Sequence, residues 1–321
     1  MKELFLVGCL IWGALVQSVE VSDIAKIALT KVESESITLK GSDDWLYSRN
    51  ELEHLAKGAL GQGRVVEISR ATKKENADPI PAIVNFNDEL KKLGIQLIVV
   101  PVPPKMAIYP IDGMKEGDAA RYLQEFYAEL RAKGVNVLDL SNDFLAAKTH
   151  GVYCKQDAHW SPTGIAVAAE KIAALILLRG TSEFSVATKK ISMVGDLKLS
   201  LDKSAKPSEE VTLREVSGEV FDEGSPILLM GDSHTLIFSA GGDMLAENAG
   251  LGEQLAVELQ MPIDRIGVKG SAATAVRINL YRKASREPEW LKNKKFVIWC
   301  FSCREFTEST SGWVKVPVLK K

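Results

Sequence analysis

Short apolar runs alternate with amphipathic stretches along most of this chain, and that alternation constrains the fold more than any other feature. The runs are Ile95–Val100 (IQLIVV), Val135–Leu140 (VNVLDL), Ile227–Met230 after Pro226 (PILLM), Ile263–Val268 and Phe296–Phe301 (FVIWCF). A strand that is apolar at nearly every position is buried on both faces, and parallel neighbours need helical crossovers between them. The intervening segments supply those helices. Ile83–Leu93 stops at Gly94, and Ala119–Lys133 stops at Gly134. Ser161 as N-cap and Pro162 in the first turn open a helix that runs to about Leu178. Met244–Leu259 and most of Ala272–Lys292 read as two more. The expected class is α/β, a three-layer α/β/α arrangement with a mostly parallel sheet. In such sheets, sites lie at the carboxyl ends of strands.

The remaining segments frame that domain. The chain has 321 residues, 46% hydrophobic and 26% charged, so it can bury a core without a disulfide scaffold. Forty basic and 42 acidic residues leave a net charge of −2, and no long basic run occurs. Nucleic-acid binding therefore has no electrostatic footprint. Leu4–Val16 is almost wholly apolar, follows Lys2, and is followed by Gln17 and Ser18. It reads as a secretory signal peptide cleaved after Ser18, which implies export to the periplasm. An uncleaved signal anchor and a buried N-terminal element are the alternatives; too little apolar sequence precedes Cys9 for a lipoprotein box. Residues 19–40 read as a linker helix centred on Val19–Val32, and Gly41–Leu46 (GSDDWL) as a turn. One catalytic domain is expected over 41–321. Within it, residues 180–224 are polar and weakly periodic, an insertion or lid with one short strand pair. Removing the leader leaves Cys154, Cys300 and Cys303, an odd count that is not a disulfide framework.

Two short motifs carry the chemistry. Ile227–Met230 runs directly into Gly231-Asp232-Ser233-His234. Gly231 permits a tight turn that would lift Ser233 off the sheet. Backbone N–H groups of a following helical turn would then face its hydroxyl and suit an oxyanion. Serine is a weak nucleophile without a base, and Asp157-Ala158-His159 offers one. A carboxylate two residues before an imidazole can hold Nδ1 and leave Nε2 facing the nucleophile. His159 has such an acid, while His54 and His150 do not; His234 lies beside Ser233 and reads as a wall or substrate contact. Trp160 could offer an apolar face to a sugar, and Lys105, just past IQLIVV, could meet an anionic polymer. Two competing constellations stand beside this one. His150, Cys154, Asp157 and His159 could be metal ligands, but that leaves the GDS turn unexplained. Cys300-Phe301-Ser302-Cys303 has the spacing of a redox motif, yet reads more simply as buried strand cysteines.

Several segments together resemble the alginate O-acetyltransferases of the AlgX and AlgJ type. Asp157–Gly164 (DAHWSPTG) is similar to that family's D-x-H-W-[ST]-x-x-G block, and Gly231–His234 to its GDS block. Gly41–Tyr47 (GSDDWLY), Pro101–Pro110 (PVPPKMAIYP) and Trp299–Glu305 (WCFSCRE) resemble further family segments, so the likeness covers roughly residues 40–306. It implies an SGNH-hydrolase-like fold in a circularly permuted order, because the Asp-His block precedes the serine. It also implies that Ser233 is nucleophile, His159 base and Asp157 orienting acid, with no metal or organic cofactor. The chain has no room for a carbohydrate-binding module after this domain, which places it nearer AlgJ. The activity implied is O-acetylation of an exported, alginate-like polysaccharide, with a membrane-bound O-acyltransferase as donor partner. A carbohydrate acetylesterase with the same triad and a non-catalytic polysaccharide-binding scaffold are the other readings.

Overall fold

The computed structural model describes residues 20–33 and 35–320. The leader, Cys9 and the cleavage point after Ser18 lie outside the described residues. Nine strands follow in chain order: β1 (Thr38–Lys40), β2 (Leu46–Ser48), β3 (Gln96–Val102), β4 (Asn136–Val137), β5 (Ser185–Met193), β6 (Glu209–Ser217), β7 (Ile227–Gly231), β8 (Asp264–Gly267) and β9 (Phe296–Ser302). Five of them form a wholly parallel sheet in the order β4-β3-β9-β7-β8. β9 is the last strand in sequence yet lies at the centre, between β3 and β7.

Alternation along the central strands divides the core into two layers. Ile98, Val100, Ile227, Leu229, Ile298 and Cys300 face one side, where they meet helices Pro162–Ala174 and Leu251–Leu259. Leu97, Val99, Leu228, Met230, Val297 and Trp299 face the other, against helices Pro79–Lys92, Asp118–Ala132 and Ala275–Arg286. Every residue of β7 and β9 is buried, as both-face coverage of a parallel sheet requires. The three-layer α/β/α expectation is met.

Local punctuation moves several boundaries. Helix Pro79–Lys92 starts four residues before the first expected position because Asp78 caps it, accepting from the Ile80 N–H at 2.9 Å, with Pro79 in the first turn. The expected helix Met244–Leu259 is only Leu251–Leu259. Leu245 and Asn248 have positive φ, and Ala240 bridges Glu247, so a loop fills the first half. Pro288 divides the last helical stretch into Ala275–Arg286 and Pro288–Lys292. The helix opened by Ser161 ends at Ala174 rather than Leu178. Val135–Leu140 contributes only the two-residue edge strand β4. The GSDDWL turn closes the β1–β2 hairpin, with Asp43 and Asp44 in the left-handed region. The N-terminal helix, Val21–Thr30, buries Ile24, Ala25 and Ala28 in the first core layer instead of standing free.

Residues 180–224 are more ordered than a polar lid. β5 and β6 pair antiparallel over nine residues each, and helix Asp196–Leu201 lies in the connection that closes the hairpin. That end rests on the loop carrying Asp157 and His159 through hydrogen bonds from both its helix and β6.

Candidate active site

The end of β7 presents Ser233. At Gly231 a Cβ would run into the Cys300 carbonyl oxygen of β9, so only glycine fits between the two strands. Asp232 then fastens the turn twice. Its Oδ2 accepts the Ser302 N–H at the end of β9 (2.7 Å), and its Oδ1 accepts the His234 N–H (2.9 Å). The 3-10 turn Ser233–Thr235 follows, leaving Ser233 half-buried among buried neighbours. Among the described residues, the Ser233 N–H makes no hydrogen bond within the protein, so it is free to donate to an oxyanion.

The partner loop enters from the helix capped by Ser161, whose Oγ accepts the Gly164 N–H at 3.2 Å. His159 Nε2 lies 2.7 Å from Ser233 Oγ, and His159 Nδ1 lies 2.6 Å from Asp157 Oδ1. Asp157 Oδ1 also accepts the His159 N–H (2.9 Å), and its Oδ2 accepts the Asp196 N–H (2.9 Å). The structure thus brings Ser233, His159 and Asp157 into one hydrogen-bonded line across 74 residues of chain. Burial works against charge on both titrating groups and is outweighed. The neighbouring imidazole and the backbone donors hold the Asp157 carboxyl well below the ordinary carboxylate range. The Asp157 carboxylate, helped by Asp196 and Asp232, lifts the His159 imidazole above its ordinary value. This is the electrostatics of a base that takes a proton from a hydroxyl and is stabilised once it has it.

Three other expected site residues are placed differently. Lys105 is 1% exposed, and its Nζ donates to the carbonyls of Leu46 (2.7 Å), Lys155 (3.0 Å) and Asp157 (3.0 Å). The ammonium also sits over the Trp45 and Tyr47 rings. Contact with a polymer is therefore withdrawn; Lys105 tethers the Asp157 loop to the β1–β2 hairpin. Trp160 is fully buried and meets His234 edge to face at 5.3 Å, so it has no open face for a sugar. His234 is buried too. Its Nδ1 pairs with Asp232 Oδ1 at 2.9 Å, and its ring lies 4.8 Å from that of His159. It forms a wall behind His159 and, being buried, has no open face for a substrate. Burial, opposed by Asp232, leaves its imidazole below the ordinary value.

The competing constellations do not assemble. Among the described residues, the group with metal-compatible spacing is Asp157, His159 and Asp196, without His150 or Cys154. Cys154 is buried, its Sγ 3.6 Å from the Trp160 carbonyl. Cys300 and Cys303 are free and buried, and desolvation pushes both thiols well up, away from the thiolate that redox chemistry needs.

Sequence reasoning missed the residues that hold the Asp157 loop. Glu209, on β6, accepts the N–H groups of Lys155 (2.6 Å) and Gln156 (2.8 Å). Asp196 accepts the Ala158 N–H at 2.8 Å. Gly195-Asp196 carries a local sign of a helix start, but nothing local ties it to a loop 39 positions earlier.

A serine at the end of a central parallel strand, hydrogen-bonded to an Asp-supported histidine from an earlier loop, defines an SGNH-hydrolase-like domain with the serine block last. The chain belongs to the family described as "SGNH hydrolase-like domain, acetyltransferase AlgX", which matches residues 38–303. A probable alginate O-acetylase AlgJ from Pseudomonas syringae pv. tomato is 31% identical over 147 residues, 44% of this chain and 34% of that protein. The Pseudomonas fluorescens protein of the same name is 28% identical over 220 residues, 61% and 52% of the two chains. The chain thus spans about a third to a half of the curated relatives it matches. Among solved structures, the O-acetyltransferase domain of Pseudomonas putida AlgJ aligns with a TM-score of 0.61 at 21% identity, covering 84% of this chain and 92% of that one. Pseudomonas aeruginosa AlgX aligns with a TM-score of 0.58 at 19% identity, covering 83% and 62%. At these identities the structural likeness shows the shared fold.

Proposed function

We propose that this protein is a polysaccharide O-acetyltransferase acting through an acetyl-Ser233 intermediate. The observation that carries the proposal is the Asp157–His159–Ser233 line, with distances of 2.6 and 2.7 Å, in a chain of this family. In the first half-reaction, Ser233 Oγ attacks the carbonyl carbon of an acetyl ester while His159 Nε2 takes the hydroxyl proton. The tetrahedral oxyanion is held by the Ser233 N–H. Collapse breaks the bond to the donor oxygen, which leaves with the proton from His159. In the second, a sugar hydroxyl gives its proton to His159 and attacks the acyl carbon, and Ser233 Oγ leaves and recovers the proton. Asp157 stays ionised and fixes the imidazole.

The names of the relatives support an alginate-like acceptor, a polymer made for export. The apolar Leu4–Val16 run supports delivery of the chain to the periplasm. No helix among the described residues is long and apolar enough to cross a membrane. A membrane-bound O-acyltransferase would supply the acetyl group on the outer side.

The test is turnover of a small acetyl ester with a coloured leaving group, with and without uronic-acid oligosaccharides. Ser233→Ala, His159→Ala and Asp157→Asn should each nearly abolish turnover with the fold intact. Ser233→Ala/His159→Ala should be little worse than either single variant, because residues acting as one unit lose function non-additively. Acetylated oligosaccharide seen by mass spectrometry supports transfer. Free acetate alone, across a broad acceptor panel, replaces the transferase with an esterase.

A further inference from the structure

We infer that Asp196, supplied by the connection between β5 and β6 within the insertion, is a positioning residue that sets the reach of Asp157 and the proton affinity of His159. The inference rests on the proposed roles of those two residues and extends them to a side chain 37 positions beyond His159.

The insertion is docked on the Asp157 loop by backbone as well as side chain. A Cβ on Gly195 would collide with the Gln156 carbonyl and the Asp157 nitrogen, so glycine is what lets the two backbones meet. Immediately after it, the Asp196 N–H donates to Asp157 Oδ2 (2.9 Å), and the Asp196 carboxylate accepts the Ala158 N–H (2.8 Å). The Lys198 N–H donates to the Gln156 carbonyl (3.1 Å). Asp157 therefore receives one of its three donors from the insertion; the other two are the Nδ1 and N–H of His159.

The charge on Asp196 has a separate effect. Asp196 is exposed as a residue, and one oxygen of its carboxylate lies within 4.8 Å of both a His159 ring nitrogen and an Asp157 oxygen. Among the described residues it makes no salt bridge. Four titratable groups face His159: Asp157 on its own loop, Asp196 on the insertion, and Asp232 and His234 on the turn after β7. Lys105 holds the far side of the loop through the Asp157 carbonyl, and Arg304 acts on His234. Burial and the Asp157 carboxylate raise the Asp196 carboxyl above its ordinary value, while His159 and the Ala158 and Leu197 N–H groups favour its ionised form; ionised, Asp196 favours the imidazolium formed when Ser233 loses its proton.

A merely structural role and this one separate in Asp196→Asn, which keeps the backbone N–H and a carbonyl acceptor for Ala158 but removes the charge. At a separation within 4.8 Å and an effective dielectric between roughly 40 and 80, losing one charge moves the His159 titration down by about 0.6 to 1.3 pH units. The direct reading is the His159 imidazole titration by NMR in a Ser233→Ala background, which needs no activity. The expected result is a downward displacement of that size, with the acid limb of kcat/KM in the Ser233 enzyme moving equally and KM little changed. Asp196→Ser, a short uncharged acceptor, must displace the titration in the same direction and guards against a folding defect in the first variant. Asp196→Ala, which loses the acceptor for the Ala158 N–H as well, should lower kcat further than Asn. An unmoved His159 titration in both Asn and Ser variants overturns the inference and leaves the proposed function standing. An enzyme with no Ser233-dependent turnover but a displaced titration would sink the function instead.

Discussion

Replacing Lys105 by methionine isolates how far the Asp157 loop depends on one buried cation. The side chain keeps its length, but the carbonyls of Leu46, Lys155 and Asp157 lose the donor that serves all of them at 2.7–3.0 Å. A hydrogen bond to a charged group contributes about 1.5–3 kcal/mol, and a bare buried acceptor costs a similar amount. Part of that loss returns, because burial already pushes the Lys105 ammonium down to about 8 from its usual 10.5, and methionine removes a charge that is expensive to desolvate. The net loss is about 2–4 kcal/mol of folding stability. For a chain of this length, that corresponds to a fall in Tm of roughly 3–6 °C. The loop holding Asp157 loses one of its tethers, and misplacement of about 1 Å is enough to reduce kcat by roughly 10- to 100-fold. KM for a small acetyl ester should hardly change, since Lys105 touches no substrate. Calorimetry and steady-state kinetics on the same preparation measure both quantities. A Lys105→Met protein with wild-type Tm and kcat would refute the tether.

Two further predictions follow from buried residues away from the hydroxyl. His54 is fully buried with Nδ1 2.6 Å from Thr307 Oγ1. Burial, with Lys57 and Arg304 nearby, lowers its imidazole to about 3, so below about pH 6.5 the unfolded chain takes up a proton that the folded one refuses. Its contribution is complete above that pH and is lost on acidification at up to ~1.4 kcal/mol per pH unit. Denaturant unfolding between pH 6.5 and 4.5 should show a shallower loss in His54→Asn than in the wild type, and parallel curves would contradict the assignment. At Gly231, alanine would drive β7 from β9 at the Cys300 carbonyl. We expect a stability loss of about 3 kcal/mol or more, with turnover lost as well; a stable, active Gly231→Ala protein would show that the two strands tolerate separation there.

The sheet was readable because its strands are apolar on both faces and lie between segments of helical period. Leu228 and Leu229 face opposite layers, and no amphipathic alternative suits such a run. The pairing of Asp157-Ala158-His159 with Ser233 was also readable, because each motif is local and each needs the other chemically. What failed were inferences about where long side chains point. Lys105 and Trp160 lie beside the site in sequence, yet both turn inward. An ammonium can be satisfied by converging carbonyls, and an indole next to a hydrogen-bonded histidine can serve as packing. The loop at Leu245–Asn248 was read as helix because its apolar residues keep helical spacing; positive φ at two non-glycine residues is a tertiary outcome that spacing does not encode. The grip of Asp196 and Glu209 on the Asp157 loop is a long-range docking of polar residues, and polar composition alone reads as a lid.

If Ser233 carries the acetyl group between donor and acceptor, the acyl-enzyme can be trapped. The protein is mixed briefly with an acetyl ester donor, quenched in acid, digested and mapped by mass spectrometry. A single acetyl group is expected on the peptide containing Ser233, absent in Ser233→Ala. It should disappear from the enzyme at the rate at which acetylated oligosaccharide forms when acceptor is added. Full turnover with no acetyl on Ser233, or acetylation at another residue that is lost at the turnover rate, would contradict that role for Ser233.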